Sequence, residues 1–411
     1  MNTVIDEFIE EARSVSVTEA AELLSIKVTR ANYAGPCPAP TCGGTDRFSI
    51  SPGKQAFNCR QCGGKGRDGI SLMALAHEHQ LTTRTGLLLA CADALGRDVP
   101  DEGQTESPDE RQARIIRIED RNRKAEDDAL EATKSQDAHR LREVDRARGI
   151  YLKADEGSFP VLSEYLRRRT GFEMPDGVFA NIRFRPNQTY WHGKDHRGSD
   201  IAVYAGPAMI APFVNLEMRI TGCHQTWIDL RNGPKFRAEP GFDDKGNPLP
   251  AKKMRGTKRG SFIPLFGLLT SLRWVGGEGI ENVLAVAGAE GFRADTFYFA
   301  AGDLGNLAGP ADPASSFRHP TLKKADVNGR MRTVLIQGPI PKAEQGPEEA
   351  MQIAGHVTSL VLLADGDSEL VFTASAMARA ETRLAHEERA ITTIWPPDGQ
   401  DFAGIMTGDD A

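Results

Sequence analysis

Cysteine is scarce in this chain, six in 411 residues, and four of the six fall between Cys37 and Cys62. Long apolar runs are missing. No stretch approaches the roughly eighteen residues that a transmembrane helix needs, and the opening "MNTVIDEFIEEARSVSV" has early acids and no apolar core, which argues against a signal peptide. A cytoplasmic protein without a membrane partner is expected, and closely spaced disulfides do not suit that compartment. An excess of positive charge is also missing. The net charge is −7, so any contact with nucleic acid must use local patches. The phosphate-binding pattern G-x-x-x-x-G-K-[ST] is absent, since "GGKGRDG" lacks its spacing. That excludes a P-loop helicase motor within the chain.

The clustered cysteines answer to metal chemistry. Cys37 and Cys42 form a C-x4-C knuckle, and Cys59 and Cys62 form C-x2-C. Two thiolate pairs on either side of a hairpin suit zinc in a closed tetrahedral site. The alternative is four unliganded cysteines in a segment with almost no core of its own. Glycines follow each pair, and "DRFSIS" and "QAFNCR" read as strands. His77 and His79 read as surface histidines, and the remaining Cys91 and Cys223 as buried thiols. Phe48 and Phe57 are either stacking surfaces for bases or the core of the ribbon.

Beyond the ribbon the chain changes character. From Asp101 to Arg148 it is charged, with a thin apolar stripe of Ile115, Ile118, Leu130, Leu141 and Val144, as expected of a solvated, largely helical linker. The stretches "AMIAPFV", "MRITGCHQTWIDL" and "SFIPLFG" read as strands of an antiparallel sheet. From about residue 270 strands and helices alternate, the rhythm of a parallel α/β sheet. Function gathers at the carboxyl ends of such strands. There "WVGGEGIENVL" places Glu278, and "VLLADGDSE" places Asp365 and Asp367. Residues two apart on extended backbone point the same way. Both aspartates can therefore face one ion, with Glu278 opposite if the two strands are neighbours. Hard oxygen ligands suit Mg2+ or Mn2+, the equipment of phosphoryl or nucleotidyl transfer. The alternative is a set of exposed turn and cap acids.

With these motifs the chain resembles bacterial and phage-type DNA primases that carry an N-terminal zinc ribbon and a Toprim catalytic domain. It is closest in kind to the short phage- or plasmid-encoded forms without a fused helicase. The segment "GPCPAPTCGGTDRFSISPGKQAFNCRQCGGKGRDGISLMA" resembles the primase ribbon. "VGGEGIENVLAV" and "LLADGD" resemble the two acidic Toprim motifs, and "FYFAAGDLGNLAG" the strand and turn between them. "MIAPFVNLEMRITGCHQTWID", "GPKFR", "AKKMRG" and "FIPLFG" resemble the basic subdomain ahead of Toprim. Departures are a first knuckle longer than C-x2-C, "SELVF" after "DGD" where the family has a small residue and a glycine, Ala403 in place of a second acid after Asp401, and a 319–346 segment without a family counterpart.

The resemblance implies an α+β multidomain chain. A zinc-ribbon domain would span 1–97, a charged helical linker 98–150, a mixed antiparallel basic subdomain 151–268, and an α/β Toprim domain with a parallel sheet 269–411. It implies RNA primer synthesis on single-stranded DNA from nucleoside triphosphates, in a bacterial or phage-infected cell, with a separate replicative helicase as partner. Zinc would sit on Cys37, Cys42, Cys59 and Cys62, and catalytic Mg2+ or Mn2+ on Asp365 and Asp367, with Glu278 as ligand or proton acceptor and Asp401 nearby. Lys235, Arg237, Lys252, Lys253, Arg255, Lys258 and Arg259 form the densest basic run and would bind template or triphosphate. "YLRRRTG" is a weaker basic patch. Two further readings stay open, a Toprim nuclease and a non-catalytic zinc-dependent DNA-binding protein of replication or plasmid maintenance.

Overall fold

The computed structural model describes residues 4–28, 33–101, 103–244, 246–325 and 331–408. Residues 326–330, inside the segment without a family counterpart, lie outside the described residues. The chain divides into two units, Met1–His139 and Arg140–Ala411 without 326–330. Among the described residues no helix is long and apolar enough to cross a membrane.

The first unit begins with helices α1 (Val4–Arg13) and α2 (Val17–Leu23), followed by a four-stranded antiparallel ribbon in the order β1 (Tyr33–Cys37), β2 (Gly43–Ser51), β3 (Ala56–Cys59), β4 (Lys65–Gly66). Helices α3 (Gly69–Ala76) and α4 (Arg84–Leu95) follow. Ser16, Asp68 and Thr83 start α2, α3 and α4, each accepting a hydrogen bond from a first-turn amide. The ribbon has little to bury. Phe48, Ile50 and Phe57 pack with Leu72 and Met73 of α3, and the Phe48 and Phe57 rings lie 5.7 Å apart. Both phenylalanines are therefore core. The charged stretch is one 45-residue helix, α5 (Pro108–Leu152). In the first unit it is held by charge: buried Glu11 of α1 accepts from Arg97 and Arg117 and forms an ion pair with Arg121.

The second unit takes the last turns of α5, then α6 (Pro160–Thr170) and the short α7 (Asp176–Phe179). A four-stranded antiparallel sheet comes next, in the order β5 (Arg183–Lys194), β6 (Asp200–Val214), β7 (Ile220–Trp227), β8 (Lys252–Gly256). The strand β9 (Ile263–Phe266) was expected in this sheet. It instead pairs antiparallel with β11 (Thr296–Ala300) at the edge of the next one. The cause is that Ile263 and Leu265 bury their side chains in the core that α6, β6 and β11 share. That second sheet runs β15 (Ala390–Ile394), β14 (Ser359–Leu363), β10 (Arg273–Gly277), β11, β9, and all its pairings except β11 with β9 are parallel. Helices α8 (Ile280–Ala289), α9 (Leu304–Ala308), α10 (Leu370–Leu384) and α11 (Phe402–Thr407) follow its strands, and a hairpin of β12 (Phe317–Ala325) and β13 (Met331–Ile336) stands between β11 and β14. β10, β11 and β14 are almost wholly buried, as sheets covered on both faces require. Gly276 is fixed by packing, because a Cβ there would lie 2.1 Å from the Phe299 ring.

One buried charge joins the antiparallel and parallel parts of this unit. Glu281, in the first turn of α8, is 3% exposed. It accepts from the Tyr165 hydroxyl of α6 at 2.7 Å, from Arg237 at 3.1 Å and from Lys252 of β8 at 3.0 Å. Burial opposes its ionisation, but Lys252, Arg237 and Arg169 outweigh that and hold the carboxyl well below its ordinary range. Glu281→Ala should destabilise the protein by about 3–5 kcal/mol, because two cations lose their counter-charge in the interior. A folded pKa below the unfolded value of about 4.3 means that this stabilisation is complete at neutral pH and lost as pH falls below that value. Urea unfolding of wild type and Glu281→Gln across pH 3–7 checks it: the acid-side loss should be shallower in the variant.

Candidate functional site

The ribbon brings its four cysteines together. Cys37 Sγ lies 3.8 Å from Cys62 Sγ and Cys42 Sγ 3.6 Å from Cys59 Sγ, and all four sulfurs fall within 4.8 Å of one another. Four thiolates about 2.3 Å from a central ion stand about 3.8 Å apart in a tetrahedron. The donor set and its spacing thus fit zinc. The longer first knuckle is no obstacle, since the Cys42 amide folds back onto Ala39 O at 3.0 Å. Cys91 and Cys223 are buried and apart from this cluster.

The acidic residues meet at the carboxyl ends of the parallel strands. In register, Gly277 of β10 lies between Leu363 of β14 and Ala300 of β11. Glu278 and Asp365 therefore leave neighbouring strands at nearly the same level. The Gly302 amide donates to Glu278 O at 2.9 Å, binding the first turn to the one after β11. Burial first, then the charges of Asp303 and Asp367, push the Glu278 carboxyl up. Burial first, then Asp367, Glu278 and Asp401, push Asp365 up to about 7. Asp365 Oδ1 is buried and has no hydrogen-bond partner. No three of these acids close to within 4.8 Å of one another among the described residues. Half-buried Glu278, Asp303 and Asp365 beside exposed Asp367, repelling one another and leaving one oxygen orphaned, nevertheless fit a hard divalent cation. Asp401 caps α11 through the Gly404 amide and remains close enough to act on Asp365. Gly366 is required by close approach: a Cβ would lie 2.5 Å from Gln400 O in the turn before Asp401.

The basic run divides according to the partners its members meet. Arg237 and Lys252 are consumed by buried Glu281 and are not a free phosphate-binding surface. Their charges are needed inside, where an unpaired carboxylate could not remain ionised. Arg255 pairs with Glu143 at 3.0 Å. Lys253 lies on the Tyr190 ring, 4.1 Å from its centroid, and donates to Trp191 O. With Arg185, Gln188 and half-exposed Trp191, Lys253 and Arg255 line a cavity of about 940 Å³. Lys258 forms an ion pair with Asp303, whose charge reaches Glu278. Lys235 and Arg259 are exposed. In "YLRRRTG", Arg167 and Arg168 bind Glu164 and Arg169 is buried, so that patch is structural.

Three solved primase structures are similar to this chain. They are the zinc-binding and RNA polymerase domains of the Aquifex aeolicus primase (18% identity, TM-score 0.33, covering 99% of this chain and 83% of that one), the DnaG primase catalytic domain bound to ssDNA (15%, 0.35, 66% and 79%) and a DNA primase domain from Pseudomonas aeruginosa (10%, 0.34, 65% and 74%). A family model described as a domain of unknown function, DUF7146, matches residues 142–265. No curated protein sequence matches.

Sequence reasoning missed several residues. Asp303 stands at the end of β11 as Glu278 does at the end of β10, a signal present in "AAGDLG". His319 and Glu369 were not separable from surface residues by any local pattern. His319, 5% exposed, accepts at Nδ1 from the Thr321 and Leu322 amides and so donates through Nε2 to Glu369 Oε1 at 2.8 Å. Glu369 caps α10 through the Phe372 amide at 2.8 Å, one residue after Ser368. The 319–346 segment thus grips the start of α10 through Glu369. Farther along α10, Ser375 and Arg379 bond Gln337 O and Gly338 O of the same segment.

Two outcomes are expected. Cys59→Ser should release one zinc ion and unfold residues 37–70 without lowering the stability of the second unit, read by elemental analysis and urea unfolding. His319→Ala should cost about 1–3 kcal/mol, the loss of a buried hydrogen-bonding group, and speed amide exchange at residues 365–372, read by hydrogen–deuterium exchange mass spectrometry.

Proposed function

We propose that this chain is a DNA primase: a zinc-dependent, single-stranded-DNA-binding nucleotidyltransferase whose Toprim-type acids hold Mg2+ or Mn2+. The observation that carries the reading is the register of β11, β10 and β14, which delivers Asp303, Glu278 and the Asp365–Asp367 pair to one end of a parallel sheet. The sequence resemblance in the ribbon and in the two acidic motifs supports it.

Asp365 and Asp367 would hold the divalent ion, which supplies charge neutralisation and Lewis-acid polarisation of phosphate oxygens. Glu278, its carboxyl raised by burial and neighbouring acids, is suited to take the proton of an attacking 3′-hydroxyl. Lys258 sits beside Asp303 and would meet the triphosphate, and exposed Lys235 and Arg259 would meet phosphates farther out. The cavity with Arg185, Lys253, Arg255 and Trp191 offers an indole for stacking and cations for phosphates, as a single strand requires. Ribbon zinc would keep the first unit folded for template contact. A separate helicase would supply unwinding.

Asp365→Asn, Asp367→Asn and Glu278→Gln should each lower nucleotide incorporation on single-stranded DNA by about a hundredfold or more, the scale of about 3 kcal/mol of lost electrostatic stabilisation. The unfolding midpoint should hold or rise, since each change removes one of several crowded charges, and DNA affinity should be unchanged. Wild-type incorporation by Asp365→Asn and Glu278→Gln overturns the assignment. New short RNA marks a primase, shortened DNA a nuclease, and neither a binding protein.

A further inference from the structure

The first unit holds a second convergence of ligand atoms. His77 closes α3 as its C-cap. Glu78 follows in the left-handed region at φ 57°, which costs an L residue about 1–2 kcal/mol. That turn folds His79 back against His77, with ring centroids 5.7 Å apart and planes 29° from parallel. Both imidazoles then present a nitrogen to one carboxylate of α4. His77 Nδ1 lies 3.3 Å and His79 Nε2 2.7 Å from Asp93 Oδ2. The three ligand atoms lie within 4.8 Å of one another, the same closeness that the four thiolates reach. An ordinary ion pair needs one imidazole. A second ring, brought to the same oxygen through a left-handed glutamate, calls for a further occupant.

We propose that His77, His79 and Asp93 bind a second divalent transition-metal ion, zinc by ligand chemistry, in an open site. Imidazole nitrogens with one carboxylate suit zinc and its first-row neighbours and do not suit magnesium or calcium. Three protein ligands leave a fourth position for water. Donors about 2.0–2.1 Å from a tetrahedral ion stand about 3.3 Å apart. The His77–Asp93 distance of 3.3 Å already has that value, and the His79–Asp93 distance of 2.7 Å reaches it by a small ring rotation. The turn is itself held: Thr41, the residue before Cys42, donates to Glu78 Oε1 at 3.1 Å. The second ion would therefore staple the end of α3 to α4 beside the first knuckle of the thiolate site. This proposal is independent of the catalytic reading.

The test uses the full chain, stripped of metal by chelator under reducing conditions, refilled with zinc chloride, desalted and assayed for zinc per protein. Wild type should hold two ions. His77→Ala/His79→Ala, and separately Asp93→Asn, should hold one with an unchanged circular dichroism spectrum. Cys59→Ser should also hold one, and Asp365→Asn/Asp367→Asn should keep two. In Co2+-substituted protein the thiolate-to-metal charge-transfer band should survive in the histidine variant while part of the visible ligand-field absorption disappears. The proposal fails if wild type saturates at one ion, if the histidine variant keeps two, or if the second ion leaves with the Asp365→Asn/Asp367→Asn change.

Discussion

The second unit is organised around the ionised carboxylate of Glu281. A charge 3% exposed survives only if its partners are fixed in place, and here they come from three separate elements. Tyr165 belongs to α6, Arg237 to the chain between β7 and β8, and Lys252 to β8. Meeting their demands fixes the first turn of α8, and Glu278 lies three residues before Glu281. The glutamate at the end of β10 is therefore aimed by a network on the far side of the same turn. His224 belongs to this interior as well: burial and the Lys252 charge push its imidazole down to about 3, so it adds no positive charge to it.

The acidic end of the parallel sheet is the electrostatic opposite. Glu281 is satisfied by cations, whereas Glu278, Asp365 and Asp367 have each other and an orphaned oxygen. A fold tolerates such crowding when a ligand relieves it, and the backbone supports the arrangement. Gly302 is tied to Glu278, Gly399 donates to Gly366 O at 2.9 Å, and Ser368 faces Asp365. His319 holds the exit of this loop through Glu369. The 319–346 segment and the loop after Asp367 are thus partners of each other.

In the first unit, the ribbon packs a small core of Phe48, Ile50 and Phe57 against α3, and an ion held by the four thiolates would add to its order. Glu11 plays the organising part there that Glu281 plays in the second unit, drawing arginines of α5 onto α1.

The sequence by itself determined whatever depends on neighbours along the chain. Knuckle spacing placed the cysteines, because a turn of a few residues can present sulfurs in only a few ways. Apolar runs ending in acids placed Glu278, Asp365 and Asp367 at strand ends, because strand geometry repeats every two residues. The ribbon strands, the long charged helix and the alternating strands and helices after 270 were legible for the same reason. Tertiary structure alone decided who meets whom at long range. Arg237 is 44 residues from Glu281 and His319 is 50 from Glu369. A basic side chain reads alike in sequence whether it faces phosphate or a buried carboxylate. The strand β9 changed sheets because burial of Ile263 and Leu265 outweighed a pairing that their local pattern left open. His77 is exposed, in keeping with its surface reading, and only the fold brings Asp93 to it and to His79. For Glu281, His319 and β9 the deciding term is the desolvation of a group by chain far away in sequence, and no window of neighbouring residues contains it.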